Sequence, residues 1–289
     1  MQMTMITPSY GPDFDRCKML VNSVNKYVPD TVEHVLLVDQ RDEAQFQKLA
    51  SSRTRVMTVE SVLPWWIMRL PMARRWWFSF KSMPVRNWIL QQVVKLGVGE
   101  HIESANYMFV DSDVSFIRPM NLGEFTDEQG KLVLYRNPTM GRTDMHAPWH
   151  MTAAKLLGFF PCDYFGANYI GNLITWRRDN LLMLYKHIET MTGMGWMEAI
   201  CRQWHLSEYI LYGVFVEHVL NGRGHFFEKS NHCAVSWGRE IHTEEGMEGF
   251  LSSVEPEQCA VMVSSKQYIP VSFYSDKLKR FEQVSSQIR

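Results

Sequence analysis

A short apolar strand that ends in two aspartates constrains this chain more than any other feature. Residues 106–110 are mostly apolar and rich in aromatic and β-branched side chains, which is typical of a strand buried on both faces of a sheet. Asp111, Ser112 and Asp113 follow directly. Open α/β sheets bind ligands at the carboxyl ends of their strands, and paired carboxylates are hard ligands for divalent cations. The motif predicts a metal–phosphate site; the alternative is that the two aspartates only end the strand and hold a turn.

Composition predicts a folded, soluble protein of the cytoplasm. Of the 289 residues 46% are hydrophobic and 21% are charged, which excludes a disordered chain, and the net charge of −1 argues against bulk attraction to nucleic acid or anionic lipid. The five cysteines are odd in number and scattered, as expected for reduced thiols. We expect neither a signal peptide nor a transmembrane segment, because no basic-then-apolar leader or run of about eighteen apolar residues occurs.

The first sixty residues alternate between strand and helix patterns. Strands are predicted at 3–7, 34–38 and 55–59, with helices from Asp13 to before Pro29 and at 42–50. This alternation implies a parallel sheet with right-handed crossovers, so the strand ends should lie near Asp111. We expect the base and ribose of a nucleotide to be bound by Thr7, Ser9, Tyr10 and Asp39. The alternative for Asp39 is a solvated loop carboxylate.

Residues 61–99 form a tryptophan-rich, basic stretch without any acidic residue. Its basic residues are Arg69, Arg74, Arg75, Lys81, Arg86 and Lys95, and its tryptophans are Trp65, Trp66, Trp76, Trp77 and Trp88. Basic groups could neutralise a pyrophosphate, tryptophan and arginine could stack on nucleobases, or residues 64–88 could contact a membrane surface; packing in the core is the structural alternative. A helix should run from Pro84 to Gly97, with Arg86, Gln91 and Gln92 facing a ligand.

Later segments add candidates on the acceptor side. Residues 164–179 are predicted to be a strand whose small residues let a sugar approach the backbone, and a loop and helix from His146 to Leu157 could cover the site. Ser207 is expected to cap a helix with Glu208 in its first turn, where a carboxylate suits a base that accepts a hydroxyl proton. The alternative is that Glu208 only complements the helix dipole.

Histidines are considered as metal ligands, although in a chain with ten of them any one is more often structural. His232 or His242 could supply a nitrogen ligand to the metal. His146 and His150 have a spacing of four residues but no acidic residue between them, which disfavours a zinc protease.

Two known chemistries place Asp-x-Asp after an apolar strand. In haloacid-dehalogenase phosphatases the first Asp is the nucleophile, and Val114 after the second would suit that motif. Those enzymes also need a later acidic pair, usually rich in Asp, but residues 180–275 contain no aspartate and only one adjacent acidic pair, Glu244 and Glu245. Their nucleophile strand is normally the first strand, whereas this one follows at least two others. The phosphatase therefore remains an alternative.

The order of motifs resembles GT-A glycosyltransferases over most of the chain. More closely, the chain resembles an uncharacterised bacterial family through Asp-Ser-Asp-Val at 111–114, Tyr-Ile-Gly-Asn-Leu-Ile-Thr-Trp-Arg-Arg at 169–178 and Ser-Glu-Tyr-Ile-Leu-Tyr-Gly-Val-Phe at 207–215. The resemblance implies an α/β fold with a Rossmann-type, mainly parallel central sheet flanked by helices. It implies one domain, 1–289, with a nucleotide-sugar-binding half at 1–119 and a more helical, acceptor-binding half at 120–289.

The same resemblance implies roles for particular residues. Asp111, Ser112 and Asp113 would hold Mn²⁺ or Mg²⁺ and the diphosphate of a UDP- or GDP-sugar, and Glu208 would act on the acceptor hydroxyl. The histidine ligand common in that fold would correspond to His232, by a looser match. The expected acceptor is a glycan or lipid-linked glycan precursor. The alternatives are a hydroxymethylated base in DNA and a non-catalytic nucleotide- or sugar-binding module.

Overall fold

The computed structural model describes residues 2–69, 76–236, 238 and 240–287. The strands are β1 Met3–Pro8, β2 Glu33–Val38, β3 Thr54–Thr58, β4 Ile67–Arg69, β5 Trp76–Ser79, β6 Val85–Arg86, β7 Asn106–Phe109, β8 Val114–Phe116, β9 Leu132–Tyr135, β10 Ile174–Arg177, β11 His225–Glu228, β12 Cys233–Ser236 and β13 Ala260–Val263. The helices are α1 Phe14–Tyr27, α2 Glu43–Phe46, α3 Val59–Val62, α4 Asn87–His101, α5 Ala147–Leu157, α6 Arg178–Thr192, α7 Trp196–Cys201, α8 Glu208–Val214, α9 Glu244–Ser252 and α10 Val271–Gln287.

A five-stranded sheet forms the centre, in the order β10-β7-β1-β2-β3. Strands β7, β1, β2 and β3 are parallel, and β10 is antiparallel to β7. All four residues of β7 are buried, as expected for an inner strand whose two faces are both covered. The predicted α/β fold with a mainly parallel central sheet flanked by helices is confirmed. The carboxyl ends of β1, β2 and β7 meet at one edge.

The remaining strands form three smaller sheets. Strand β13 pairs in parallel with β12 and antiparallel with β8, which follows directly after the aspartate motif. Strands β4, β5 and β6 form an antiparallel sheet within the tryptophan-rich stretch, and β9 pairs with β11. Strand β8, which follows Asp113, is thereby held against β13, a strand from the carboxyl-terminal part of the chain.

Helices cover both faces of the central sheet. Helix α1 buries one stripe, including Cys17, Leu20 and Val24, because apolar residues recur every three to four positions. Helix α4 is buried on most of its surface and packs in the largest core cluster, together with residues of α6, α7 and α8. Among the described residues, no helix combines the length and apolar character that a membrane crossing requires.

The structure also corrects several predicted boundaries. The helix predicted from Pro84 begins at Asn87, because Val85 and Arg86 pair with β5 as a strand. Only Ile174–Arg177 of the strand predicted at 164–179 is a strand, and the preceding residues are irregular. Of the basic residues in the tryptophan-rich stretch, Arg74 and Arg75 lie outside the described residues.

Candidate metal and nucleotide-sugar site

The two aspartates stand in the tight connection between β7 and β8. The Asp111 side chain is 43% exposed, whereas Ser112 is buried. The backbone N–H of Ser265 donates to Asp113 Oδ2 at 2.7 Å, and Asp113 Oδ1 is buried without a hydrogen-bond partner. The Asp111 carboxylate therefore faces solvent, and the Asp113 carboxylate has one oxygen without a hydrogen-bond partner.

Burial, together with the neighbouring Asp111 carboxylate, raises the pKa of Asp113 to about 6. Both causes disfavour the ionised form, since the group loses hydration and faces a like charge. A divalent cation would reverse this penalty, because it supplies positive charge to Asp111 and Asp113 together. The hard oxygens of this pair fit Mn²⁺ or Mg²⁺.

Replacing Asp113 by asparagine should change how the stability of the metal-free protein depends on pH. The folded-state pKa of Asp113 lies above the ordinary value of 3.8. Ionisation of wild-type Asp113 therefore lowers the free energy of unfolding as pH rises from the ordinary pKa through the folded-state pKa. The stability of Asp113→Asn relative to wild type should thus increase by about 2.5 kcal/mol between pH 4 and pH 8. Urea unfolding with a chelator present measures this difference, and a difference that stays constant over this range contradicts it.

A buried lysine joins the aspartate motif to Glu208. Lys95 Nζ lies 3.0 Å from Glu208 Oε1 and 3.4 Å from Asp111 Oδ1, and it donates to the Tyr209 hydroxyl at 3.0 Å. Burial opposes the charged form, but Asp111, Glu208 and Tyr209 together raise the pKa of Lys95 well above its ordinary value. Lys95 is therefore a permanent cation that two carboxylates share.

Glu208 occupies the first turn of α8, as predicted, and Ser207 caps that helix by accepting from the Ile210 N–H. The residue is only 3% exposed. Its backbone N–H donates to Gln92 Oε1 at 3.3 Å, so α4 holds the start of α8 in place. The neighbouring Gln91, predicted to face a ligand, is exposed and points away from this contact.

The loop after β1 reaches the same edge of the sheet, but its residues differ in accessibility. Thr7 is fully buried, and its hydroxyl bonds the His34 ring at 2.9 Å, so it supports the sheet. Ser9 Oγ is buried next to the Cys17 thiol, with which it hydrogen-bonds, and Tyr10 is 48% exposed. The loop is held by Asp42, which accepts from the Gly11 N–H at 2.7 Å. Of the predicted residues in this loop, Tyr10 is the most accessible to a ligand.

A cavity of about 410 Å³ lies beside Asp39, at the end of β2. Asp39 forms ion pairs with Arg69 and with Arg41, and the Arg69 guanidinium lies 4.1 Å from the Trp77 ring centre. The cavity is lined by Gln40, Arg41, Glu60, Ile67, Met68, Arg69 and Trp77. Asp39 therefore belongs to a network of charged residues with room for a ligand beside it.

The structure does not bring His232 to the aspartate pair. His232 precedes β12, whose first residue Cys233 pairs with Ala260, and Ala260 pairs with Phe116. This register places His232 at the far end of β8 from Asp113. His242 lies closer, since its ring bonds Gln267, two residues beyond Ser265. Within the described residues, no three His, Cys, Asp or Glu side chains form a metal-binding group.

The small residues before β10 leave the central sheet. The pairing of β10 with β7 ends at Ile174 and Phe109, and Leu173 just before it has a left-handed backbone conformation with φ of 56°. A Cβ atom at Gly171 would lie 3.2 Å from Ile174 and 3.4 Å from Tyr135, whereas nothing lies within 4 Å of one at Gly166. Only Gly166 thus has the open space that was predicted for an approaching sugar.

Sequence reasoning considered Lys95 only as one of the basic residues that could neutralise a pyrophosphate, and it missed the pairing of Lys95 with Glu208, the role of Tyr209 and that of the Ser265 backbone. A lysine in the middle of the apolar run of α4 is a usable signal, because a buried lysine requires carboxylate partners. Ser265 gives no such signal, since it lies 152 residues from Asp113 along the chain.

Comparison with known proteins identifies a family but no activity. The model of a family of unknown function (DUF6492) matches residues 2–247. No curated protein matches the sequence. Among solved structures, the apo crystal structure of mouse xyloside xylosyltransferase 1 aligns over 93% of this chain and 99% of its own, with 7% sequence identity and a TM-score of 0.47. A likeness this distant carries no inference about activity, and the architecture described above does not depend on it.

Proposed function

The chain belongs to this family of unknown function, DUF6492, and from its site we propose that it is a metal-dependent GT-A-type glycosyltransferase. The proposed reaction moves a sugar from a UDP- or GDP-sugar to a hydroxyl of a glycan or lipid-linked glycan precursor. One observation carries the proposal: Asp111, Asp113 and Glu208 converge at the carboxyl edge of the sheet, with Lys95 as the shared cation. This arrangement has excess negative charge and an unsatisfied carboxylate oxygen, as a cation site requires.

The proposed donor spans the edge from Asp39 to Asp111. Strands β2 and β7 are both neighbours of β1, so their ends lie about 10 Å apart at the usual strand spacing. That separation suits a nucleoside in the cavity beside Asp39 with its diphosphate at the aspartate pair. Tyr10, on the intervening strand's loop, would contact the ribose or base.

Different residues of the chain would act on the donor diphosphate and on the acceptor hydroxyl. When bound, the metal ion would offset the negative charge that develops on the departing diphosphate. Asp111 and Asp113 would position that ion, and Lys95 would hold the Glu208 carboxylate in place through their ion pair. The acceptor oxygen bonds to the anomeric carbon as the sugar–phosphate bond breaks. In an inverting reaction Glu208 accepts the acceptor's hydroxyl proton.

A thermal-shift panel of nucleotide sugars, with and without Mn²⁺, tests the donor site. A matching donor at a hundred times its dissociation constant should add about 2.7 kcal/mol of stability, and only when the metal is present. Asp113→Asn should abolish the metal-dependent part, because it removes the charged ligand. If that variant retains both binding and turnover, the assignment of the site is wrong.

One observation favours a second candidate, a non-catalytic nucleotide-sugar-binding module. Glu208 is 3% exposed and already paired with Lys95, as expected of a structural carboxylate. Such a module would show the same metal-dependent stabilisation without ever releasing a nucleoside diphosphate. Measuring that release with the donor found in the panel separates the two candidates.

A further inference from the structure

An exposed group of aromatic rings lies beside the first turn of α8. We define the aromatic platform as Trp76, Arg86, Trp88, Trp149 and Trp204. Trp204 is 60% exposed, Trp88 is 41% exposed and Trp76 is 38% exposed. Several large apolar rings that are exposed to solvent in one region of the surface indicate a binding surface.

The platform residues come from β5, β6, α4, α5 and the loop between α7 and α8, and contacts between them hold them in a fixed arrangement. Trp76 and Arg86 are cross-strand partners in β5 and β6, and the Arg86 guanidinium lies 4.1 Å from the centre of the Trp204 ring. The Trp76 and Trp204 ring centres are 6.2 Å apart. Trp88 stacks on Trp149 of α5 with ring centres 5.9 Å apart. The rings are thus preorganised, which lowers the entropy cost of binding.

The platform is hydrogen-bonded to the chain segment that leads into Glu208. The Trp88 indole N–H donates to the Leu206 carbonyl at 2.8 Å, two residues before Glu208. One turn further along α4, Gln92 accepts from the Glu208 backbone N–H. A ligand lying on Trp88 and Trp204 would therefore extend towards Glu208.

We propose that the aromatic platform binds the saccharide part of the acceptor, an inference that rests on the proposed function for its link to transfer. The face of a sugar ring carries C–H groups that pack on the electron-rich face of an aromatic ring. Arg86 Nε is buried without a hydrogen-bond partner beside the Trp204 ring, so the platform contains an unsatisfied donor.

The chemistry around the platform favours a saccharide over a lipid surface. Glu198 pairs with Arg202 at 2.8 Å and with Lys81 at 3.8 Å, so both cations at the rim are engaged by a carboxylate of the protein. A membrane-binding face would instead be expected to present unpaired basic side chains to anionic lipid beside its exposed apolar side chains. Trp65, 78% exposed, packs on Phe80 rather than on a platform ring and provides a matched control.

Direct glycan binding without donor or metal tests the platform independently of catalysis. A glycan array presenting neutral and acidic saccharides should show binding by the wild type. For the glycan bound most tightly, Trp204→Ala and Trp76→Ala should each weaken affinity at least tenfold, whereas Trp65→Ala should leave it unchanged. Thermal melting confirms that each variant is folded.

Other results of the binding experiments would contradict the proposal or the transferase assignment. The proposal is overturned if no glycan binds, or if Trp65→Ala weakens binding as much as Trp204→Ala. Binding to phosphatidylcholine–phosphatidylglycerol vesicles that depends on Trp204, without glycan binding, would assign the surface to a membrane instead. Glycan binding that depends on Trp204 in a protein that binds no nucleotide sugar would support the platform while refuting the transferase.

Discussion

Replacing Lys95 by methionine is expected to lower the free energy of unfolding by about 3–5 kcal/mol, because it leaves a buried carboxylate without its cation. Methionine fills a similar volume, so little of the effect should come from packing. Glu208, 3% exposed and 3.0 Å from Lys95 Nζ, would lose its ion-pair partner. Urea unfolding at pH 7.5 measures the change.

Two controls separate the charge effect from a general effect of losing a lysine. Lys48→Met, at an exposed position, should change stability by less than about 0.5 kcal/mol. Adding Glu208→Gln to Lys95→Met should recover part of the loss, because the buried charge is then removed together with its partner. A loss below 1 kcal/mol for Lys95→Met would show that Glu208 does not depend on this lysine in solution.

The sequence predicts the strand ends well because their signals are local. An apolar run followed by a polar residue identifies β1, β2 and β7 without knowledge of the rest of the fold. The cap formed by Ser207 is equally local, since its hydroxyl bonds a backbone N–H three residues later. The first signal places residues at the carboxyl ends of parallel strands, which lie side by side in the sheet, and the second places Glu208 at the start of α8.

Properties that depend on pairing between distant segments could not be predicted. The antiparallel direction of β10 leaves no trace in its own apolar pattern, and the register of β12 decides that His232 lies far from Asp113. The face of α4 that carries Lys95 was ambiguous, because most of this helix is buried. The division into a donor half at 1–119 and an acceptor half at 120–289 stays a prediction. The proposed platform draws on both parts, with Arg86 from the first and Trp204 from the second.

Replacing Glu208 by glutamine is expected to lower kcat by 10²- to 10⁴-fold, the range lost when a general base is removed. Glutamine has the same shape but cannot accept the acceptor's hydroxyl proton. Lys95 remains bonded to Tyr209 at 3.0 Å and close to Asp111, so the donor side should keep its structure. Metal-dependent stabilisation by the nucleotide sugar should therefore persist. Steady-state release of nucleoside diphosphate, alongside thermal shift, measures both properties.

Glu217→Gln is the matched control for this prediction. Glu217 lies in the π-helical turn that follows α8, is also partly buried, and accepts from Arg136 at 2.7 Å and from Tyr169 at 2.8 Å. Because these partners lie outside the site, its replacement should reduce stability while leaving kcat within a few-fold of wild type. If Glu208→Gln and Glu217→Gln have equal kcat, Glu208 is not the base, and the burial that pairs it with Lys95 serves the fold alone.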